Sequence, residues 1–424
     1  MKKIAFILLL FSACTPLQYG STGTGPKRLV LTDYVYEANI KTVRLFRAEN
    51  DPMTQQFPAV ARLGQPNLIL EFDDLHTERD NYTFKLIHCN RDWAKSSLMD
   101  LDFLADYNEF PINNFEFSLD TWIPYVHYWT PMPSVKLPGN YVVVVYRGSD
   151  KEDIILTKRF MVYEPHVTFL RDGSIMSSGA SAVRNQQINF TLNYKNIDLI
   201  NPIETVNVSV RQNQRWDNVV QEIKPAFVRE NIRELEYRFF DDATMFKGGN
   251  EFRFFDLRSL NYPGRNVAYM DRNRSPWTAY IIKDKNRSDE AYSQYPDYNG
   301  NYLIDNYDYR RVNAANYVNV AFTLSSPPVD GEVYVTGAFT HWNLGRENKM
   351  LYDSASREYR ASALLKQGWY DYQYVVKSKT LTPHHFEGTH FQTENLYEVF
   401  VYYRSFQPMA DLLIGYQVFS ENQR

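Results

Sequence analysis

The chain has 424 residues, 44% of them hydrophobic and 16% aromatic, with 32 Tyr and 27 Phe against 18 Gly and 20 Pro. That apolar content excludes wholesale disorder, and at about 150 residues per domain the length suggests roughly three domains. Lys and Arg number 46 against 50 Asp and Glu, a formal net charge of −4, so no basic excess exists to bind a phosphate backbone and nucleic acid is not an expected partner.

The chain opens with Lys2-Lys3, an apolar run from Ile4 to Phe11, and then Ser12-Ala13-Cys14. A basic segment, a short apolar segment and small residues are the layout of an export signal. The run is shorter than the roughly 20 apolar residues a membrane-spanning helix needs. A cysteine directly after two small residues looks like a bacterial lipobox, with residues 1–13 as a lipoprotein signal peptide and Cys14 as the lipidated residue. Phe11 stands where Leu is commoner, and an ordinary cleaved signal with an incidental cysteine is the alternative. Stable anchoring takes more than one acyl chain, so a multiply acylated Cys14 is expected to hold the protein on a membrane. Thr15-Pro16-Leu17-Gln18 contains no acid, which favours the periplasmic face of the outer membrane over the cell surface. Residues 14–27, ending in the Gly/Ser/Thr/Pro stretch Ser21–Lys27, read as a flexible tether. Gly23 and Gly25 follow no strand and open no helix, so a nucleotide loop is not indicated.

Short runs rich in Val, Ile, Tyr, Phe and Thr then recur, split by Pro, Gly, Asn and Asp. They include Thr42–Arg47, Asn67–Phe72, Tyr82–His88, Tyr141–Tyr146 and Ile154–Tyr163, then Gln187–Tyr194, Thr205–Val210, Arg233–Phe240 and Asn250–Leu257. Asn319–Leu324, Glu332–Thr336, Tyr370–Val376, Tyr397–Tyr403 and Leu412–Val418 complete the series. Helical periodicity is scarce. Short strands with regular turn signals predict an all-β protein of tandem immunoglobulin-like β-sandwich domains. The expected modules are 28–165, 166–312 and 313–424. Beyond the leader the longest apolar run, Tyr141–Tyr146, has strand length, and no transmembrane helix is expected.

The sequence offers little chemistry. Cys14 and Cys89 are the only cysteines, so with Cys14 lipidated no intramolecular disulfide can form. Cys89 reads as a buried thiol; a catalytic one would need an activating neighbour. No G-x-S-x-G elbow occurs. His384-His385-Phe-Glu387-Gly-Thr-His390 is the best metal candidate, but on a strand its ligands alternate between faces and its spacing is not H-E-x-x-H, so a polar loop is expected and no metal or cofactor is assigned. Asp297-Tyr-Asn299-Gly300-Asn301 echoes a calcium loop with the glycine two places early and no closing Glu, and reads as a tight turn. Gln212–Asn218 reads as a polar turn carrying Trp216, with an arginine over the ring.

Val333–Gly337 followed by Phe339 and Trp342 forms a G-x-F-x-x-W pattern. It resembles early-set immunoglobulin-like domains, among them glycogen-binding modules that stack exposed tryptophans on sugar rings. Trp342 and Trp369 are therefore either glycan platforms or packing residues. The aromatic run Trp122-Ile-Pro-Tyr125-Val-His-Tyr-Trp129 is either core or a partner interface, with Trp122, Tyr125 and Trp129 as the candidates.

An ordered series of motifs spans the chain: Ile87–Trp93, Leu137–Tyr141, Gln212–Asn218, Gly248–Arg253, Glu387-Gly388, Thr393–Tyr397, Val401–Arg404 and Asp411–Gly415. Together they resemble the plug proteins of the type IX secretion system of Bacteroidota, from about Leu29 to the C-terminus. The resemblance implies no enzymatic activity. It implies a periplasmic stopper that seals the inner mouth of a giant outer-membrane β-barrel translocon while the barrel's shuttle partner is absent. The alternative is an outer-membrane lipoprotein that binds glycans through exposed aromatics of its C-terminal domain.

Overall fold

The computed structural model describes residues 27–51, 53–65, 67–171, 184–238 and 245–422. The predicted leader, Cys14 and the tether up to residue 26 lie outside the described residues. The protein is all-β, built as tandem β-sandwiches. Most strands form where alternating or continuous apolar runs predict them. Ile154–Tyr163 and Glu332–Thr336 have the predicted bounds, while Gly139–Arg147 and Asn395–Arg404 extend the predicted runs at both ends.

The first sandwich pairs two antiparallel sheets. One contains Tyr34–Val35, Ile154–Tyr163, Gly139–Arg147, Tyr82–Cys89 and Phe110–Pro111, with Val60–Arg62 added in parallel to Ile154–Tyr163. The other contains Ile40–Arg47, Leu68–Asp74, Val126–Pro131 and Asn114–Phe117. Their inner faces meet through Leu70, Phe72, Tyr82, Tyr128, Tyr141, Val143 and Val145. Phe72 stacks on Tyr128, with Tyr82 edge-on to both.

Val142 and Val144 point to the opposite face of the Gly139–Arg147 strand. They pack on Phe400, Tyr402 and Leu413 of the C-terminal hairpin. A strand that is dry on both faces reads as an unbroken apolar run, which accounts for Tyr141–Tyr146.

The strand pairing redraws the predicted module boundaries. The middle sandwich joins Thr168–Arg171, Phe190–Asn193, Glu234–Tyr237 and Phe227–Arg229 in one sheet. Its second sheet runs Val220–Ile223, Val206–Gln212, Asn395–Arg404, Asp411–Glu421. The two C-terminal strands, assigned from sequence to the third module, thus complete the second one. Tyr397, Val399, Val401 and Phe419 fill its core together with Phe190, Val208 and Tyr237.

Conversely, Arg253–Asp256, Val267–Asp271 and Thr278–Ile281, assigned to the second module, pair with strands of the third: Arg253–Asp256 lies on Gly368–Lys377, and Thr278–Ile281 runs parallel to Tyr317–Ser325. The third sandwich is therefore inserted between Lys247 and Asn395. Local pattern could not reveal this, because each strand's alternation is the same whichever sheet it joins. The insertion's two ends adjoin, since Asn395 Nδ2 donates to the Gly248 carbonyl at 2.9 Å.

Among the described residues no helix is long and apolar enough to cross a membrane. A protein ending at residue 394 should lose the middle sandwich selectively, because Val206–Gln212 loses its neighbour along its full length. Pulse proteolysis should then find cleavage across residues 184–238 while the first sandwich stays resistant; equal resistance of both would contradict the nested topology.

Candidate functional site

The motif residues gather where the three modules meet. At the joint between the first and middle modules, Trp93 and Trp216 pack edge to face with centroids 4.9 Å apart. Arg159 lies 4.4 Å over the Trp93 ring, and Arg211 lies 4.4 Å over the Trp216 ring. The cation predicted over Trp216 is thus Arg211, held there by a two-pronged ion pair to Glu398 at 2.6 and 2.8 Å. Around this pair Tyr402 donates to Asn140 Oδ1 at 2.9 Å, Asn140 Nδ2 donates to the Asn90 carbonyl at 3.1 Å, and Arg404 donates to Asn90 Oδ1 at 3.0 Å. Trp93 holds φ at +65°, a left-handed backbone that costs a bulky residue about 1–3 kcal/mol and persists only where packing over-determines it.

The joint between the middle and third modules is made of amides. Gln186 Nε2 donates across it to the carbonyls of Phe391 and Thr393 at 2.7 Å, while on the middle module's side Asn213 donates to Asn395 Oδ1 at 2.7 Å and Gln212 donates to the Lys247 carbonyl at 3.0 Å. Gly248 is required here by contact. A Cβ would lie 1.9 Å from the His390 carbonyl oxygen.

Next to this joint Glu387 is buried. It accepts from Arg253 at 3.1 Å, Arg287 at 2.6 Å and the Tyr374 backbone N–H at 2.8 Å. Burial would raise its pKa, but the two guanidiniums and the amide hold it down at about 2. The histidine segment is thus a structural loop around an ion-paired glutamate. His384 stays neutral, its pKa lowered to about 4 by burial and the Arg215 charge. Among the described residues no group of three or more His, Cys, Asp or Glu side chains could hold a metal ion.

The first and third modules share a buried charge cluster that sequence reasoning missed. Asp73 accepts from Lys366 at 2.7 Å, Tyr317 at 2.6 Å and His127 at 2.7 Å. Asp73 and Lys366 are 0% and 1% exposed. Burial opposes ionisation of Asp73, yet Lys366 and His127 hold its pKa well below the usual carboxylate range. The one sequence signal is a lysine closing the apolar run Ala363-Leu364-Leu365.

The candidate interface aromatics serve this contact. Trp122 packs on Trp277 at 4.3 Å and takes Asn316 Oδ1 on its backbone N–H, while Tyr125 donates to the Val312 and Ala315 carbonyls beneath the Lys366 ammonium. Trp129, half-buried, stacks on His127.

The glycan candidates are engaged as well. Trp369 is 7% exposed, stacks on Phe254 at 4.3 Å and donates its indole N–H to Asp371. Trp342 is half-buried, with Arg215 4.3 Å over its ring and Phe252 edge-on. Trp369 therefore packs as a core residue, while Trp342 keeps part of its surface exposed beside these contacts. Asn299 and Gly300 form the predicted turn, with φ of +52° and +83°, and a Cβ on Gly300 would meet Trp342 at 2.4 Å. The Cys89 thiol is buried, and burial pushes its pKa up to about 12, which disfavours the thiolate form.

Two substitutions test the joints. Lys366→Met leaves Asp73 charged, buried and short of its cation, and should cost about 3–5 kcal/mol in urea unfolding, with Asp73→Asn in the same chain restoring part of the loss. Glu387→Gln should cost a similar amount above pH 4.5. Because the folded carboxyl titrates lower than the unfolded one, that penalty should shrink as pH falls through about 2. A penalty independent of pH would show that the charge of Glu387 is not what matters.

A family model described as the type 9 secretion system plug protein 1st domain matches residues 40–164. The crystal structure of a hypothetical protein from Parabacteroides merdae superposes with a TM-score of 0.86 at 27% identity, covering 93% of this chain and 100% of that one. No curated protein matches the chain. The family model covers the first sandwich, and the similar structure superposes on nearly all of the chain. The family match, on the first sandwich, supports a type IX secretion plug protein.

Proposed function

We propose that the protein is the periplasmic plug of the type IX translocon, a non-catalytic stopper that closes the inner mouth of the giant outer-membrane β-barrel while the shuttle partner is absent. The observation that carries this reading is the plug-domain match at 40–164 on a body whose three modules are joined by buried hydrogen bonds. A pore wide enough for folded cargo leaks unless it is blocked by something broad and stiff, and packed β-sandwiches have that stiffness. A specific yet reversible seal should bury more than about 1,000 Å².

The anchor fits the same role. Lys27, where the described chain begins, is ion-paired to Glu37 and Asp153 of the first sandwich. Residues 14–26 reach at most about 45 Å when extended, so a lipidated Cys14 would keep the plug beside the outer membrane on the periplasmic side and raise its effective concentration at the barrel mouth.

Mild-detergent solubilisation of membranes followed by affinity capture and mass spectrometry should recover a very large outer-membrane barrel with the protein. Deleting the gene should raise outer-membrane leakage of small solutes. Recovery of the monomer alone, with leakage unchanged, would refute the plug.

A further inference from the structure

At the point where all three modules meet lies a polar cavity of about 100 Å³. The first module contributes Arg44, Lys158 and Arg159, the middle module Arg211 and Trp216, and the third Trp342. Three of the four cations are neutralised by carboxylates. Arg44 pairs with Glu71, Lys158 with Asp33 at 2.8 Å, and Arg211 with Glu398 at 2.6 Å. His341, beside Lys158, carries no charge, since burial and the Lys158 ammonium lower its pKa to about 3.

Arg159 is the remainder. Its Nε donates to the Leu31 carbonyl at 2.8 Å and its plane covers Trp93, but among the described residues no carboxylate forms an ion pair with it. Asp33 approaches through its contact with the Arg159 backbone N–H at 2.8 Å, and that carboxylate is already committed to Lys158. Arg44 is 8% exposed, and its Nε has no hydrogen-bond partner. The cavity wall therefore holds one uncompensated positive charge and a buried unpartnered donor. A water needs only about 10–15 Å³ of such space, so a small polyatomic anion fits.

We propose that this junction is a binding site for a small oxyanion, carrying one carboxylate or phosphate group, held by Arg159 and Arg44. Planar guanidinium donors suit such oxygens better than they suit a halide. Both guanidiniums belong to the first module, and the remaining walls of the cavity come from the middle and third modules.

Calorimetry with sodium phosphate and sodium acetate, against sodium chloride at equal ionic strength, should show saturable one-to-one binding of an oxyanion and none of chloride. Fluorescence of Trp216 and Trp342 should report the same saturation. Arg159→Gln should weaken binding at least tenfold, and Arg159→Lys, which keeps the charge but loses the fork, should fall between. Should Arg159→Gln fail to fold, Ala338→Asp places a carboxylate in the cavity wall and should abolish the phosphate response in a folded protein. No response to either oxyanion beyond that of chloride, or an undiminished response in Ala338→Asp, would overturn the assignment. Barrel capture is a separate readout, so loss of anion binding leaves the plug reading standing, and the reverse holds too.

Discussion

The structure depends on one hairpin with two dry faces. Along Asn395–Arg404, Tyr397, Val399 and Val401 point into the middle sandwich, while Phe400 and Tyr402 point out against the first. Each fully buried side chain of this kind contributes about 1.5–3 kcal/mol, and a one-residue slip would exchange the two sets. The hairpin therefore closes a core and glues two modules in the same register. Inter-domain contacts normally permit relative motion unless they are large and apolar. Here sheet stacks on sheet from the first module into the second, so the two move together.

Apolar stacking is non-directional and does not by itself choose an angle between modules. The polar joints do that. Tyr402 with Asn140, Asp73 with Lys366, and the amides of Gln186 and Asn395 on the Thr393 and Gly248 carbonyls each fix both partners by geometry. Burying such charges is costly unless they are paired and hydrogen-bonded, and Asp73 takes three donors from two modules. The buried acids Asp73, Glu387 and Glu398 are each held in ion pairs with a lysine or arginine.

Much of the fold was legible because strand formation is local. Alternation in Glu332–Thr336 and the long run Ile154–Tyr163 carry their own bounds, and the all-β reading follows from them. Pairing is not local. Nothing in Tyr397–Tyr403 says that its neighbour lies at Val206–Gln212 rather than in the segment just before it, so the insertion of the third sandwich stayed hidden. The motif series Ile87–Trp93, Gln212–Asn218 and Asp411–Gly415 carried a resemblance but not the reason for it. Only the structure brings Trp93, Trp216 and Asp411 to one seam. Trp369 illustrates the opposite difficulty. Its residue type suits either a platform or a core, and burial alone tells them apart.

The nesting of one sandwich inside another also orders assembly in time. The first module contains every strand it needs by Tyr163, and the inserted one by Lys377, whereas the middle one stays open until Glu421 is available. During synthesis the central block of the body is thus the last to close, and its exposed sheet edge at Val206–Gln212 remains a hazard for mispairing until the tail arrives. A chain cut short anywhere near its end is left with two sound ends and a hole in the middle.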